Sequence, residues 1–242
     1  MKPTFKPMGD SAIQITFGDK IKPEINSLVT EFFQLIKTQK IEGIIDMIPA
    51  FSTLLINYDP RIIFYKDLEK KLTQLTNFDV AISSLNSRIF EIPVLYGDDY
   101  GTDLENVAQL AGITQEEVIN IHSGTDYLIY MLGFLPGFPY LGGLDERIHT
   151  PRLATPRIKI RSGSVGIGGQ QTGIYPLESP GGWQLIGRTP IKTYDATSSI
   201  PILFNAGDYI RFVPITKSQY KQIEDEIKEG TYVHIIHKVE DN

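Results

Sequence analysis

The chain has 242 residues, 41% of them hydrophobic, enough for one large domain or two of ordinary size with real cores. It has no cysteine, which excludes disulfides and thiolate chemistry. No apolar run approaches the ~20 residues that span a bilayer, the N-terminus carries no apolar signal core, and a net charge of −6 argues against general nucleic-acid binding. These features point to a cytoplasmic protein with neither membrane nor nucleic acid as partner.

Residues 11–17 alternate apolar and polar side chains as a strand does. Residues 23–37 place Ile25, Leu28, Val29, Phe32, Leu35 and Ile36 on one helical face. Two strands follow at 43–48 and 53–58. A helix over 67–75 turns Leu68, Leu72 and Leu75 inward, and a strand covers 88–94. This βαββαβ order is the ferredoxin-like pattern, although its last strand can equally open the next domain. Residues 77–87 are polar and glycine-free; they set a boundary between a domain over 1–86 and another over 87–242.

Thr102 with Glu105, and Thr114 with Glu117, each match a capping box, which satisfies free amide donors at a helix start. Two short helices are therefore expected, the first ending at Ala111-Gly112. Residues 127–132 form a strongly apolar strand. Short strands follow around 158–160, 164–167, 183–187 and 209–213, separated by Gly/Pro turns, the spacing of a barrel or sandwich. A helix over 218–228 and a strand over 232–236 close the chain.

The most constrained stretch is 133–190, with 12 of the 21 glycines and 7 of the 15 prolines. Glycine reaches backbone angles closed to other residues, and proline fixes one angle and removes a donor. Such density among alternating apolar residues implies defined backbone placement, and loops built this way carry sites. Charge is also uneven here. Residues 147–177 contain no acid, yet Arg147, Arg152, Arg157, Lys159 and Arg161 fall among them; Arg188 and Lys192 follow, with Glu178 alone against them. A basic patch on an acidic protein suits a carboxylate, a phosphate or an acidic partner surface. A solvated strand face accounts for the same run.

There is no G-x-x-x-x-G-K-[ST] phosphate loop and no G-x-S-x-G elbow. Gly166-Ile167-Gly168-Gly169 begins like a dinucleotide fingerprint but lacks the third glycine. His234 and His237 would point to opposite faces of a strand, so no metal site is expected. His122, at a helix end, suits an interaction with terminal carbonyls. His149 lies in a basic, proline-bounded loop and is the better candidate for ligand contact. Gln171, Thr172 and Tyr175 offer an amide, a hydroxyl and a phenol that can orient a small polar ligand; a hairpin turn at Gly173 is the plainer reading. Residues 179–183 read as a turn, and Trp183 as core. Arg188, at a strand end, is placed for a bidentate carboxylate or phosphate contact or for a structural ion pair.

The segment from His122 to Pro190 resembles the bacterial family whose members are variously called KipI, the first subunit of allophanate hydrolase, and the 5-oxoprolinase B subunit. The matching strings are Tyr130-Met131-Leu132-Gly133-Phe134, Pro136-Gly137-Phe138, Tyr140-Leu141-Gly142-Gly143-Leu144, Thr150-Pro151-Arg152, Gly163-Ser164-Val165-Gly166-Ile167, Gln171-Thr172-Gly173-Ile174-Tyr175-Pro176 and Ser179-Pro180-Gly181-Gly182-Trp183; Gly9-Asp10-Ser11-Ala12 also fits. The resemblance implies an α+β chain, with an N-terminal ferredoxin-like α/β domain followed by a C-terminal cyclophilin-like β-barrel.

It also implies two partners, a companion subunit of cyclophilin-like fold and a lactam-handling one, together with ATP and magnesium bound by or shared with those partners. The complex would be an ATP-dependent 5-oxoprolinase, opening 5-oxo-L-proline to L-glutamate. The alternative within the same family is an inhibitor that binds a sensor histidine kinase. For the enzyme, Arg188, Tyr175 and His149 are the expected catalytic residues, and Gln171, Thr172, Arg152 and Arg157 the expected substrate contacts. An unstrained lactam resists hydrolysis, so such a site needs donors for the substrate carboxylate, cations for phosphate charge and exclusion of water.

Overall fold

A computed structural model describes residues 3–20, 22–77 and 87–239. The chain divides into two compact units, 1–83 and 84–242. Most of the boundary expected over 77–87 lies outside the described residues.

The first unit is a four-stranded antiparallel sheet with two helices. Its elements are β1 (Thr4–Pro7), β2 (Ala12–Thr16), α1 (Pro23–Gln39), β3 (Ile44–Pro49), β4 (Thr53–Tyr58) and α2 (Tyr65–Gln74), and the strand order is β1-β2-β4-β3. Ile13 pairs with Ile56 and Ile15 with Leu54, so four apolar side chains share one face. Val29, Phe32 and Ile36 of α1 and Leu68 and Leu72 of α2 bury against that face. Full burial of each such side chain is worth about 1.5–3 kcal/mol. Pro23 starts α1 where its missing N–H costs nothing, and Lys40 ends it in the left-handed conformation. The edge beside β2 is held by β1, which the periodicity did not indicate. Gly9, at φ 69°, makes the reversal between the two strands. The strand expected over 88–94 belongs to the second unit.

That unit is a closed barrel. Its strands are β5 (Arg88–Tyr96), β6 (Asp126–Leu132), β7 (Pro139–Gly142), β9 (Ser164–Gly168), β10 (Gln171–Ile174), β12 (Gln184–Arg188) and β13 (Tyr209–Pro214). The ring runs β12-β9-β10-β7-β6-β13-β5 and closes through Gly187–Tyr96 and Arg188–Leu95 pairing. Within the ring β5 and β13 are parallel and the other pairs antiparallel. Inward positions follow the strand period of two: Phe90, Ile92 and Val94; Val165 and Ile167; Ile210 and Phe212.

Outside the ring lie α3 (Leu104–Ala111), α4 (Gln115–Ser123), the paired strands β8 (Arg157–Ile160) and β11 (Ser179–Gly181), α5 (Lys217–Glu229) and β14 (Ile236–Lys238). Leu104, Val107, Ala108 and Val118 join α3 and α4 to the barrel core.

Four local expectations are corrected. Thr102 does not cap α3. Asp103 occupies the N-cap, and its carboxylate is committed to Arg157 and the Leu185 amide instead of the helix. The hairpin turns at Gly169, φ 69°, and Gly173 lies inside β10. Residues 179–181 are strand, paired to β8. The final strand is 236–238, not 232–236. By contrast the Thr114–Glu117 capping box is complete, with both reciprocal bonds formed.

Candidate functional site

The outer face of the β9–β10 hairpin is lined by glycine. Gly166, Gly168 and Gly173 would each drive a Cβ into or against Trp183, most severely at Gly168, 2.3 Å from Nε1. The indole therefore lies directly on the backbone. Phe138, Ile160 and Tyr175 complete a buried cluster around it, with Tyr140, Leu135 and Leu185 at its margin. Phe138 meets Tyr175 and Trp183 edge to face at 5.4 and 5.5 Å, the geometry that ring quadrupoles favour.

The loop from His149 to Arg157 crosses this cluster and is tied down at three places. Thr150 pairs with Gly169, Leu153 N donates to Gly182 O at 2.7 Å, and Gln184 Nε2 donates to Pro151 O at 2.9 Å. Two arginines are thereby held against the aromatic bed. Arg152 places its guanidinium 5.8 Å from the Trp183 ring centroid, within cation–π range. Arg157 Nη2 donates to Asp103 Oδ1 at 2.6 Å, and its Nη1 to Trp183 O at 3.3 Å.

The counter-charges for the acid-free stretch come from outside it. Arg147 pairs with Asp145, Arg157 with Asp103 and Lys159 with Glu178. Arg152 has no carboxylate partner among the described residues and is exposed. Arg161 is likewise exposed without a carboxylate partner among the described residues; Arg152 is distinguished by its place at the Trp183 ring.

Both neighbouring phenols feel it. Burial raises Tyr175; a hydrogen bond from the Trp183 backbone and the charges of Arg152 and Arg157 oppose the rise. Burial likewise raises Tyr140 against the charge of Arg152. Both are neutral donors at neutral pH. Trp183, Tyr175 and Phe138 are themselves buried, so the accessible groups of this face are the exposed Arg152 guanidinium and the half-buried Tyr140, a cation beside a phenol that suits a small carboxylate.

The expected site residues divide. Arg152, Arg157 and Tyr175 come together. Gln171 lies half-exposed at the mouth of the β9–β10 hairpin. His149 Nε2 donates to Leu144 O at 3.0 Å, tying the imidazole to backbone. Arg188 stands elsewhere: its Nε donates to Ser162 O at 2.9 Å, and its charge acts on Tyr220 of α5. Thr172 points into the barrel, fully buried, with its hydroxyl 2.8 Å from His122 Nε2. His122 is fully buried too, its Nδ1 2.8 Å from the Tyr96 hydroxyl and its ring stacked on Phe212 at 4.5 Å.

The sequence reading missed Asp103 and Tyr140. A signal for Asp103 existed: an arginine run without acids must draw its partners from other segments. Among the described residues no group of three or more His, Asp or Glu side chains could hold a metal, and no helix is long and apolar enough to cross a membrane.

Residues 3–204 match the family described as carboxyltransferase domain, subdomain C and D. The chain belongs to this family. It is 42% identical to the 5-oxoprolinase B subunit of Bacillus subtilis, over 90% of this chain and 95% of that one. Among solved structures, the conserved uncharacterized protein PH0987 from Pyrococcus horikoshii is 46% identical over 90% of this chain and all of that one, with a TM-score of 0.54. TTHA0988 is 34% identical with a TM-score of 0.75; 85% of this chain aligns, spanning 40% of TTHA0988. Members of the family thus occur both at this length and within longer chains.

Proposed function

We propose that this chain is the B component of a cytoplasmic, ATP-dependent 5-oxoprolinase that opens 5-oxo-L-proline to L-glutamate. A companion barrel protein and a lactam-handling partner would complete the enzyme. Two things support the reading. The first is near full-length similarity to a protein named as the B subunit of 5-oxoprolinase. The second, which carries the chemistry, is Arg152: a cation without a carboxylate partner, set over Trp183 and acting on Tyr140 and Tyr175. 5-Oxoproline is a small ring with a carboxylate. Its carboxylate would meet the guanidinium, and its ring the half-buried Tyr140.

The chain's own part is then to bind and orient. The Asp103–Arg157 pair fixes the loop beneath the ligand, and the aromatic bed excludes water around it. The lactam oxygen must be activated before water can open the ring, and ATP supplies that activation in this reading. In this reading nucleotide and magnesium are bound by the partners or shared with them.

Reconstitution tests the reading. Mixed with its companion proteins, the chain is expected to support glutamate release from 5-oxoproline and ATP, and omitting it to abolish that release. Arg152→Ala is expected to raise KM for 5-oxoproline about 10–100-fold, the loss of a charge-assisted contact. A mixture equally active without this chain overturns the function. Full activity of Arg152→Ala overturns the site.

A further inference from the structure

The barrel carries a groove on its outer wall that differs in charge from the arginine–aromatic face. A groove of about 590 Å³ lies among the outer sides of β5 and β13, the helix α5 and residues 231–235. Its volume falls in the range of small-molecule sites, roughly 300–1,000 Å³. The floor is apolar, built from Pro93, Val213, Ile223 and Tyr232. Its charged lining residues are two acids, Glu91 and Glu226; no lining residue is basic.

The two acids are not equivalent. Glu91 has neighbours of its own: His237 Nε2 lies 2.8 Å from its Oε1, and Arg211 Nη1 lies 4.0 Å away. Glu226 accepts a neutral hydrogen bond from Gln222 Nε2 at 2.8 Å and has no ion-pair partner among the described residues. Burial raises the Tyr232 phenol, and the charges of Glu226 and then Glu91 raise it further. Both carboxylates therefore act on the inside of the groove.

An apolar pocket with one uncompensated carboxylate is complementary to a cation carried on an apolar body. We propose that this groove binds small amphiphilic organic cations, with an ammonium group set against Glu226 and an aryl or alkyl part on the Val213–Ile223–Tyr232 floor. The site is independent of the Arg152 face and of the activity proposed for it.

The test uses three probes that share a phenethyl group on the purified chain: 2-phenylethylammonium, 2-phenylethanol and 3-phenylpropionate, titrated by ligand-observed NMR. The ammonium is expected to bind about tenfold more tightly than the propionate, with the alcohol between them, because one charge is attracted and the other repelled. Glu226→Gln is expected to bring ammonium and alcohol to equal affinity while leaving the alcohol within about twofold of its original value. Val233→Lys, at a position 79% exposed and safe for folding, sets a cation at the rim and is expected to weaken the ammonium selectively. Arg152→Ala is expected to change none of the three. Equal binding of ammonium and propionate, a cation preference that survives Glu226→Gln, or no saturable binding up to about 10 mM each overturns the proposal.

Discussion

Thr172 fixes the tautomer of His122. The threonine hydroxyl has one proton and gives it to Gly166 O at 3.0 Å, so its oxygen must accept from His122 Nε2 at 2.8 Å. His122 is then protonated at Nε2, and Nδ1 accepts the proton of Tyr96. The chain Tyr96–His122–Thr172–Gly166 links β5, α4, β10 and β9 across the barrel interior, with each hydrogen used once. A second proton on the imidazole would face the Tyr96 hydroxyl, which already donates there. Burial raises that phenol well above its usual range, so it stays a donor.

The first prediction concerns acid stability. Burial holds His122 down to about 3, from a reference of 6.5. Between those values the unfolded chain takes up a proton that the folded chain refuses, so stability falls as pH drops through 6.5 and levels off near pH 3. The half-buried His234, also lowered, adds in the same direction. Urea midpoints measured from pH 8 to pH 4 should fall steadily. His122→Gln is expected to be less stable at pH 8, by about 2–4 kcal/mol for the lost stack and bond, but less pH-dependent. Parallel decline of both proteins would show that His122 is not the group responsible.

Gly168 and Gly169 are adjacent and require glycine for different reasons, which separates two kinds of damage. Gly168→Ala must push the Trp183 indole off the hairpin, because its Cβ would fall 2.3 Å from Nε1. We expect a loss of about 1–3 kcal/mol with a red shift in fluorescence from the chain's single tryptophan. Gly169→Ala meets nothing within 4 Å but sits at φ 69°. We expect about 1–2 kcal/mol of strain with the emission maximum unmoved. Identical emission from both variants would refute this account of the indole's seat.

Much of this was legible in the chain, and the gaps have physical causes. Long amphipathic segments such as α1 and α5 declare themselves because burial repeats along them. The Thr114 capping box and the αL stop at Gly112 are local and formed as expected. The strands β7, β10 and β11 were hidden because their outward positions are glycine, or their residues read as turn chemistry. Gly173 looks like a reversal in sequence, yet it is a strand residue whose missing side chain makes room for Trp183 and Phe138. Arg152, Arg157 and Tyr175 could be named from charge and residue type, but which acid each arginine meets could not. Asp103 lies 54 positions from Arg157, and only the fold brings them together. In sequence the Thr172 hydroxyl suits a small polar ligand, but strand parity sends it inward.

The Asp103–Arg157 pair gives a third prediction. Asp103 Oδ2 also accepts the Leu185 amide at 2.6 Å, so Asp103→Ala strands a guanidinium and a backbone donor at once. Side-chain exposures of 12% for Asp103 and 29% for Arg157 place the pair between buried and surface limits. We expect a loss of about 2–3 kcal/mol. Asp103→Ala combined with Arg157→Met should recover part of it, because no charge is then left unpaired. A double variant as unstable as the sum of the two single variants would show that the residues do not act as a pair.

Phe134 gives the last prediction. It is exposed, edge-on to Phe138 at 5.7 Å, and holds φ at 63°, a conformation a β-carbon disfavours. Such strain persists where surrounding structure imposes it, and it gathers at functional sites. Here the residue borders the cluster that carries Arg152. Comparing Phe134→Ala with Phe134→Gly isolates the backbone, since both remove the ring. At an ordinary position alanine is the more stable of the two, because glycine frees the unfolded chain. At φ 63° the order should reverse, with glycine more stable by about 1 kcal/mol. Under the function proposed above, with 5-oxoproline on the Arg152 face, both variants should lose turnover in the reconstituted enzyme to the same degree, because both remove the ring that borders that face. Alanine more stable than glycine would remove the strain. Full turnover by both would confine Phe134 to a surface role.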